Sequence, residues 1–560
     1  MHEEKITVNA KKGFNTSGIG IGNALKLNST ELEVEKIITN DSSLEIEIFK
    51  KAINTVSDDI KKLIAISDIF EAHLMIANDP IFKDRVINYI NTNKVNAAYA
   101  IKHVTNSYLE TFKNIYNPHL QERKADIIDV TNQILANVLN IELKSLNNIN
   151  KDTILIANDL SPSETASLNL EYIKGLILFN SGITSHTAII AKLNNIPLII
   201  NNELNFDNFK DNELTIIDAN HNIIYQNPNE DTLNQYHTYL NDQAYYQSLL
   251  SKYQNKETYT NDNKRINLML NINSIDDLDK LDNYQIDGIG LFRTEFLFMK
   301  GTPSLELQES IYRKLFNRFK DQSVTIRTFD LGGDKTIKGL NNPLEENPFL
   351  GVRGIRFALK NEDIFKIQIK ALLKANTFGN LNIMLPMIAT TEEFDTSKRI
   401  IKDVENELIN EGYQINPYKL GIMIEVPIAA LNANKLAKKV DFFSIGTNDL
   451  IQYLFAADRM NTNLSYLYQS LHPSLLSLIK MVASAANENN IEVSVCGEMA
   501  GDLFAVPLLL GAGIKNLSMS ISRVLSVREK ISNTNLLEAS NLLNEAITLS
   551  SEDEVIKLIK

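Results

Sequence analysis

The chain has 560 residues, too many for one hydrophobic core, and at about 150 residues per domain three or four domains are expected. A net charge of -13 with no dense basic tract excludes nucleic acid and anionic membrane as natural partners. The one cysteine, Cys496, allows no internal disulfide, and no apolar run approaches the ~18 residues of a spanning helix. The start Met1-His2-Glu3-Glu4 lacks the pattern of a signal peptide, so the expectation is a cytoplasmic protein without membrane insertion.

Residues 1–22 read as one strand and then a tight turn at Gly18, Gly20 and Gly22. A Gly-x-Gly-x-Gly run can also cradle phosphate, but alone it is a weak signal. Residues 23–145 carry helix-period apolar spacing with almost no glycine. Leu44, Ile48, Ile53, Val56 and Ile60 fit one helical face, and Ile69, Phe70, His73 and Leu74 continue the pattern. The acidic excess between Glu31 and Glu71 reads as a solvated face, or else as a docking surface for a basic partner.

From Thr153 the pattern changes to short apolar strands: Thr153–Asn158, Gly175–Asn180, Pro197–Asn201, Leu214–Ala219 and Ile223–Gln226. After the second comes Ser181-Gly182-Ile183-Thr184-Ser185-His186-Thr187-Ala188. Gly182 gives a turn, Thr184 or Ser185 caps a helix, and His186 falls in the first helical turn. Free N–H groups and the positive helix end favour an anion there, so the imidazole could carry a phosphoryl group covalently. The other seven histidines have no such setting, with His73 a packing or docking residue. Residues 229–260, polar and rich in tyrosine, suit a linker helix.

Eight apolar runs follow: Ile266–Asn271, Ile286–Phe292, Val324–Asp330, Ile383–Met387, Leu420–Glu425, Asp441–Gly446, Ile491–Cys496 and Lys515–Ser520. Separated mostly by helix-length polar stretches, they predict a closed (β/α)8 barrel with its active site at the strands' C-terminal ends. Those ends read Arg293, Arg327, Met387, Glu425, Asn448-Asp449 and Cys496. Arg293 and Arg327, with Lys335, Arg353 and Arg356 in the loops, suit a small, multiply anionic substrate. Glu425 and Asp449 among arginines suggest Mg²⁺, the alternative being that both simply pair with the arginines. Arg459 can reach the same mouth. Cys496 is either core packing or a proton carrier beside Gly497.

Taken together, Thr184-Ser185-His186, Asp441–Asp449 (DFFSIGTND), Cys496–Gly501 (CGEMAG), Glu71–Met75 (EAHLM) and Ala125-Asp126-Ile127 resemble Enzyme I of the bacterial phosphoenolpyruvate-dependent sugar phosphotransferase system, in the same order along the chain. The resemblance implies an α/β multidomain chain: a swivelling phosphohistidine α/β domain (1–22 and 146–227) with an inserted α-helical domain (23–145), a linker helix (228–260), and a (β/α)8 TIM barrel (261–560) that dimerises. It implies that His186 takes phosphate from phosphoenolpyruvate and passes it to a histidine of the phosphocarrier protein HPr. Arg293 and Arg327 would hold the substrate phosphate, Arg459 and Asn448 the rest of the substrate, with Lys335, Arg353 and Asp449 beside it. Glu425 and Asp449 would bind Mg²⁺, and Cys496 would protonate the leaving enolate to pyruvate. Ser181 and Ser17 depart from the family pattern, where glycine and proline are usual, without touching the chemistry. Pyruvate phosphate dikinase and phosphoenolpyruvate synthase share the barrel and histidine motifs, but need a nucleotide-binding domain for which the helical region before His186 is too short.

Overall fold

The computed structural model describes residues 4–7, 13–15, 18–27, 32–63, 69–112, 118–141, 146–179, 186–194, 196–201, 204–281, 284–298, 301–333, 345–459 and 461–560. Two compact units result, Met1–Asp242 and Gln243–Lys560.

In the first unit, an eight-stranded sheet runs in the order β1-β8-β7-β3-β4-β5-β6-β2. Its strands are β1 (Glu4–Thr7), β2 (Gly13–Asn15), β3 (Ile19–Leu27), β4 (Thr153–Ala157), β5 (Ile173–Leu178), β6 (Leu198–Asn201), β7 (Leu214–Asp218) and β8 (Ile223–Gln226). The central four, β3 to β6, are parallel, and β1, β8, β7 and β2 join antiparallel. Every residue of β4 is buried, because its two faces serve two cores. Leu155 packs with Leu176, Ala188 and Leu198 on one side, while Ile154 and Ile156 pack with Ile177, Phe209 and Ile217 on the other. Burial on both faces is why such strands read as continuous apolar runs rather than alternating ones.

The glycine turn expected near residue 20 is not there. Gly20 and Gly22 lie inside β3, a nine-residue strand. A Cβ on Gly20 would stand 1.9 Å from the carbonyl oxygen of Lys174. These glycines serve close backbone packing, a reason for strand glycine that the spacing alone does not separate from a turn.

Among the described residues between β3 and β4 stand the α-helices α1 (Ser42–Leu63), α2 (Ile69–Ala77), α3 (Pro80–Asn93), α4 (Ala97–Phe112) and α5 (Pro118–Leu139). Their core joins Phe49, Ile53, Val56 and Ile60 of α1 to Phe70, Val86, Ile90, Ile101 and Ile134. Leu44 points to solvent, so the buried face of α1 runs through Phe49 instead. His73 is completely buried in this layer and therefore packs rather than presenting itself to a partner. Three helices complete the unit: α6 (Pro162–Ala166), α7 (His186–Leu193) and α8 (Glu230–Leu250), the last continuing into the second unit. The Tyr236 hydroxyl of α8 donates to Asp218 Oδ2 of β7 over 2.9 Å.

All eight apolar runs of the second half form strands: β9 (Asn267–Ile272), β10 (Gly288–Phe292), β11 (Ser323–Arg327), β12 (Leu381–Leu385), β13 (Tyr418–Ile424), β14 (Phe442–Ile445), β15 (Glu492–Val495) and β16 (Asn516–Met519). They are parallel, and β16 pairs back to β9 (Leu517 with Leu268), closing a barrel. One continuous core fills the layer between strands and outer helices. Closure leaves the C-terminal strand ends as the place where functional side chains can converge. No helix among the described residues is long and apolar enough to cross a membrane.

Candidate active site

Arg327 is the last residue of β11 and is almost wholly buried. Its Nη2 donates to Glu295 Oε1 at 2.9 Å and lies 3.4 Å from Asp330 Oδ2. Glu295 Oε1 also accepts the Asp330 amide at 2.8 Å, so one carboxylate ties the ends of two strands. Burial alone would lower the Arg327 guanidinium, but Glu295, Asp330, Glu425 and Asp449 more than reverse it, and the group stays charged.

Arg353 reaches the same place from the loop after β11. Gly332, at a φ of +94°, forms an isolated bridge with Arg353. A Cβ on Gly332 would meet the Val352 carbonyl oxygen at 2.1 Å, so glycine is required for that approach. The Arg353 fork donates from Nε and Nη2 to the two oxygens of Asp330, at 3.0 and 2.8 Å. Nη2 also stands 3.1 Å from Asp449 Oδ1. Burial opposes the charge on Arg353, and Asp330 outweighs it. Its Nη1 is buried without a hydrogen-bond partner, as are Arg327 Nε and Arg293 Nε.

Arg293 follows β10 and differs from the other two. Burial, then the neighbouring Arg327, lowers its pKa, and Glu295 does not restore it. A guanidinium held in that condition is stabilised by an incoming anion. Arg293, Arg327, Arg353 and Arg459 line one cavity of about 390 Å³, together with Glu295, Asp330 and Asp449. Four cations against three carboxylates leave that wall net positive.

Glu425 follows β13 and is completely buried. Its Oε1 accepts the Met387 amide at 2.6 Å, and Met387 adopts a φ of +56°. A left-handed methionine is a strained conformation, here held where its N–H meets a carboxylate. Glu425 Oε2 has no hydrogen-bond partner. Burial, with Asp449 and Asp330 adding repulsion, pushes the Glu425 carboxyl up to about 8.

Asp449 lies in the first turn of the helix Thr447–Leu454, and its Oδ1, although close to Arg353, makes no hydrogen bond. Among the described residues no group of three or more His, Cys, Asp or Glu side chains is arranged to hold a metal. Two carboxylates with bare, buried oxygens nevertheless fit a cation of the Mg²⁺ type, which takes one or two protein carboxylates and fills the rest from substrate and water. The alternative, that both carboxylates are spent on arginines, fits Asp449 in part and Glu425 not at all, since no arginine among the described residues forms an ion pair with it.

Asn448 Oδ1 accepts the Glu498 amide at 3.0 Å, joining the helix Thr447–Leu454 to the segment after β15. Cys496 follows β15, is 2% exposed, and packs with Leu291, Met384, Met423 and Phe442. Its Sγ sits 3.6 Å from the Ile445 carbonyl oxygen. Burial pushes the thiol up to about 11, so it keeps its proton at neutral pH. Asn448, Cys496 and Glu425 do not line the cavity itself. Lys335, Thr184 and Ser185 lie outside the described residues. His186 is the first residue of α7, as a site for an anion at a helix start requires.

Glu295 and Asp330, which set the arginines in place, are not among the residues expected from sequence. A signal existed: each follows its arginine by two or three residues, in Arg293-Thr294-Glu295 and Arg327-Thr328-Phe329-Asp330. A larger cavity of about 750 Å³ opens in the first unit beside Gly20 and Gly22, but buried charge of this kind does not surround it.

Three family descriptions match the chain: the N-terminal domain of PEP-utilising enzymes over residues 15–123, their mobile domain over 149–222, and their PEP-binding domain over 247–536. The phosphoenolpyruvate-protein phosphotransferase of Mycoplasma capricolum subsp. capricolum is 40% identical over 562 aligned positions, covering 98% of each chain. That of Bacillus subtilis is 37% identical and covers 98% of this chain and 99% of its own. With the barrel, the histidine helix and the arginine-lined cavity in place, these relationships make the chain a member of the phosphoenolpyruvate-protein phosphotransferase family, Enzyme I.

Proposed function

We propose that the chain moves the phosphoryl group of phosphoenolpyruvate first to His186 and then to a histidine of HPr, releasing pyruvate. The observation that carries this reading is the net-positive cavity of four arginines beside Glu425 and Asp449, in a chain that also starts a helix with His186.

Arg293 and Arg327 hold the phosphate, and their buried N–H groups without partners are the donors it would satisfy. Arg459 at the rim and Asn448 hold the remainder of the substrate, and Lys335 adds positive charge. Arg353 spends its fork on Asp330 and so orients Asp449, leaving Nη1 for the substrate. Glu425 and Asp449 would hold Mg²⁺, which would supply charge neutralisation for the substrate. The bond from phosphorus to the enol oxygen breaks as the bond from phosphorus to the His186 imidazole forms. The Cys496 thiol, still protonated, gives its proton to the methylene carbon, and pyruvate leaves. The thiolate regains a proton from solvent. In the second half-reaction the phosphorus–nitrogen bond to His186 breaks and one to the HPr histidine forms.

His186 must visit the barrel and then a partner on the helical layer, so the histidine domain swivels about residues 228–260. Support comes from the middle of α8, where Tyr239 and Tyr245 are 42% and 65% exposed. Rigid cross-linking of that segment is expected to block transfer while sparing substrate binding; undiminished transfer would refute the swivel. The working form is a cytoplasmic homodimer built on the barrel.

The test is incubation with Mg²⁺ and phosphate-labelled phosphoenolpyruvate, without nucleotide, beside a His186→Ala variant. Acid-labile label on the parent chain alone, with pyruvate released, is the expected result. No label would refute the reading.

A further inference from the structure

The helical layer and the histidine helix are joined by a partly buried polar chain that the mechanism above does not use. Asp129 of α5 is 7% exposed, and its Oδ2 accepts the Ser163 amide of α6 at 3.1 Å. One helical turn on, Gln133 Nε2 donates to the Ser163 hydroxyl at 2.7 Å and lies 3.3 Å from Asp129 Oδ1. Ser163 is thus gripped twice, by backbone and by side chain, from the same face of α5.

The other side of α6 faces the histidine helix. Thr165 Oγ1 lies 2.9 Å from the Ser161 carbonyl oxygen, to which it can donate. The same oxygen also lies 3.0 Å from Thr187 Oγ1, a hydrogen bond in which either hydroxyl can donate. Thr187 is buried and is the residue next to His186. Ala166 of the same short helix packs against the helical core. The path from Asp129 to His186 is continuous: α5 carboxylate, α6, hydroxyl pair, first turn of α7.

A buried carboxylate is costly unless its partners repay it. Here one oxygen accepts the Ser163 amide of the next layer and the other accepts from Gln133, while His73 Nδ1 stands 3.8 Å away, beyond hydrogen-bond reach. We infer that Asp129, with Gln133, is a positioning residue for the second half-reaction: through α6 it fixes the start of α7, and so His186, relative to the helical layer on which HPr docks. This rests on the functional reading above. The barrel half-reaction does not depend on that alignment, because there His186 meets the cavity of the other unit. A misplacement of an ångström can cost up to about 100-fold in transfer, so an effect of about tenfold is expected from a loosened strut.

The experiment uses the full chain and its Asp129→Ala and Gln133→Leu variants, each first labelled from phosphoenolpyruvate and Mg²⁺ and then mixed with purified HPr. Labelling within about twofold of the parent is expected, with transfer to HPr about tenfold slower at saturating HPr and the KM for HPr unchanged. The double variant should fall no further than Asp129→Ala, since both side chains act through Ser163. Transfer at the parent rate overturns the inference. So does an equal fall in both half-reactions, or a raised KM with kcat intact, each of which marks a general packing or docking role. If the parent chain itself takes no label, the functional reading fails; if it labels and transfers while the variants match it, only this inference fails.

Discussion

The two units solve opposite problems. At the barrel mouth, charge is concentrated and locked: Arg327, Arg353, Asp330 and Glu425 are all buried, and all but Glu425 are paired in direct ion contacts. In the first unit the proposed nucleophile is the first residue of a helix in a domain built on an open sheet of mixed strand direction, and its neighbour Thr187 is held to Thr165 through hydroxyls rather than charges. A closed barrel holds groups to within fractions of an ångström, which suits stabilising a charged transition state. A helix start on a separate layer suits carrying a group away. The comparison teaches that fixed electrostatics and portable chemistry are divided between two folds.

Removing the carrier tests this division most severely. His186→Ala is expected to abolish labelling from phosphoenolpyruvate altogether while pyruvate binding at the barrel persists; residual acid-labile label would place the nucleophile elsewhere. Next in size is Glu425→Gln, expected to slow labelling by about 100- to 1000-fold, the scale of losing a preorganised electrostatic group.

Glu425 also predicts a pH signature. Its carboxyl, held up to about 8 in the folded chain against an ordinary 4.5, favours the fold while protonated. That contribution is complete below the ordinary value and is lost as pH rises through about 8. Without Mg²⁺, the barrel Tm should therefore decline from pH 6 to pH 9; with Mg²⁺, which binds the ionised form, it should not. A Glu425→Gln barrel whose Tm follows the same slope would assign the effect to another group.

Cys496→Ala is expected to lower pyruvate release by about 100-fold while Mg²⁺ affinity, measured by calorimetry, is retained. Full activity would return Cys496 to the apolar cluster of Leu291, Met384, Met423 and Phe442. Smallest, and confined to the other unit, is Gly20→Ala. Its Cβ would collide with the Lys174 carbonyl oxygen, so a loss of about 2–3 kcal/mol is expected in the first unit's melting transition, with the barrel transition unmoved. A shift of both transitions would mean that the units do not melt separately.

Much of this was legible in the chain. The barrel runs could be read because parallel strands buried on both faces must be apolar throughout, and each observed strand overlaps its run to within a few residues. The positions ending or directly following β10, β11, β13 and β15 could then be read as strand ends. Less legible was what those side chains touch. That Arg353 would give its fork to Asp330, or that Met387 would twist to a positive φ beneath Glu425, depends on contacts across tens of residues that no local pattern records. The N-terminal glycines misled because alternate glycines serve a turn and a close-packed strand equally well.

One feature of the open sheet bears on handling the protein. Both of its borders come from the first fifteen residues, β1 flanking β8 and β2 flanking β6. Behind β2 lies Leu198–Asn201, apolar for three of its four residues and wholly buried. The barrel, being closed, has no border to guard. Trimming the N-terminus back to Gly18 would uncover two sticky β-edges at once, so a shortened chain would self-associate through the histidine domain and cloud on standing, while its barrel stayed clear.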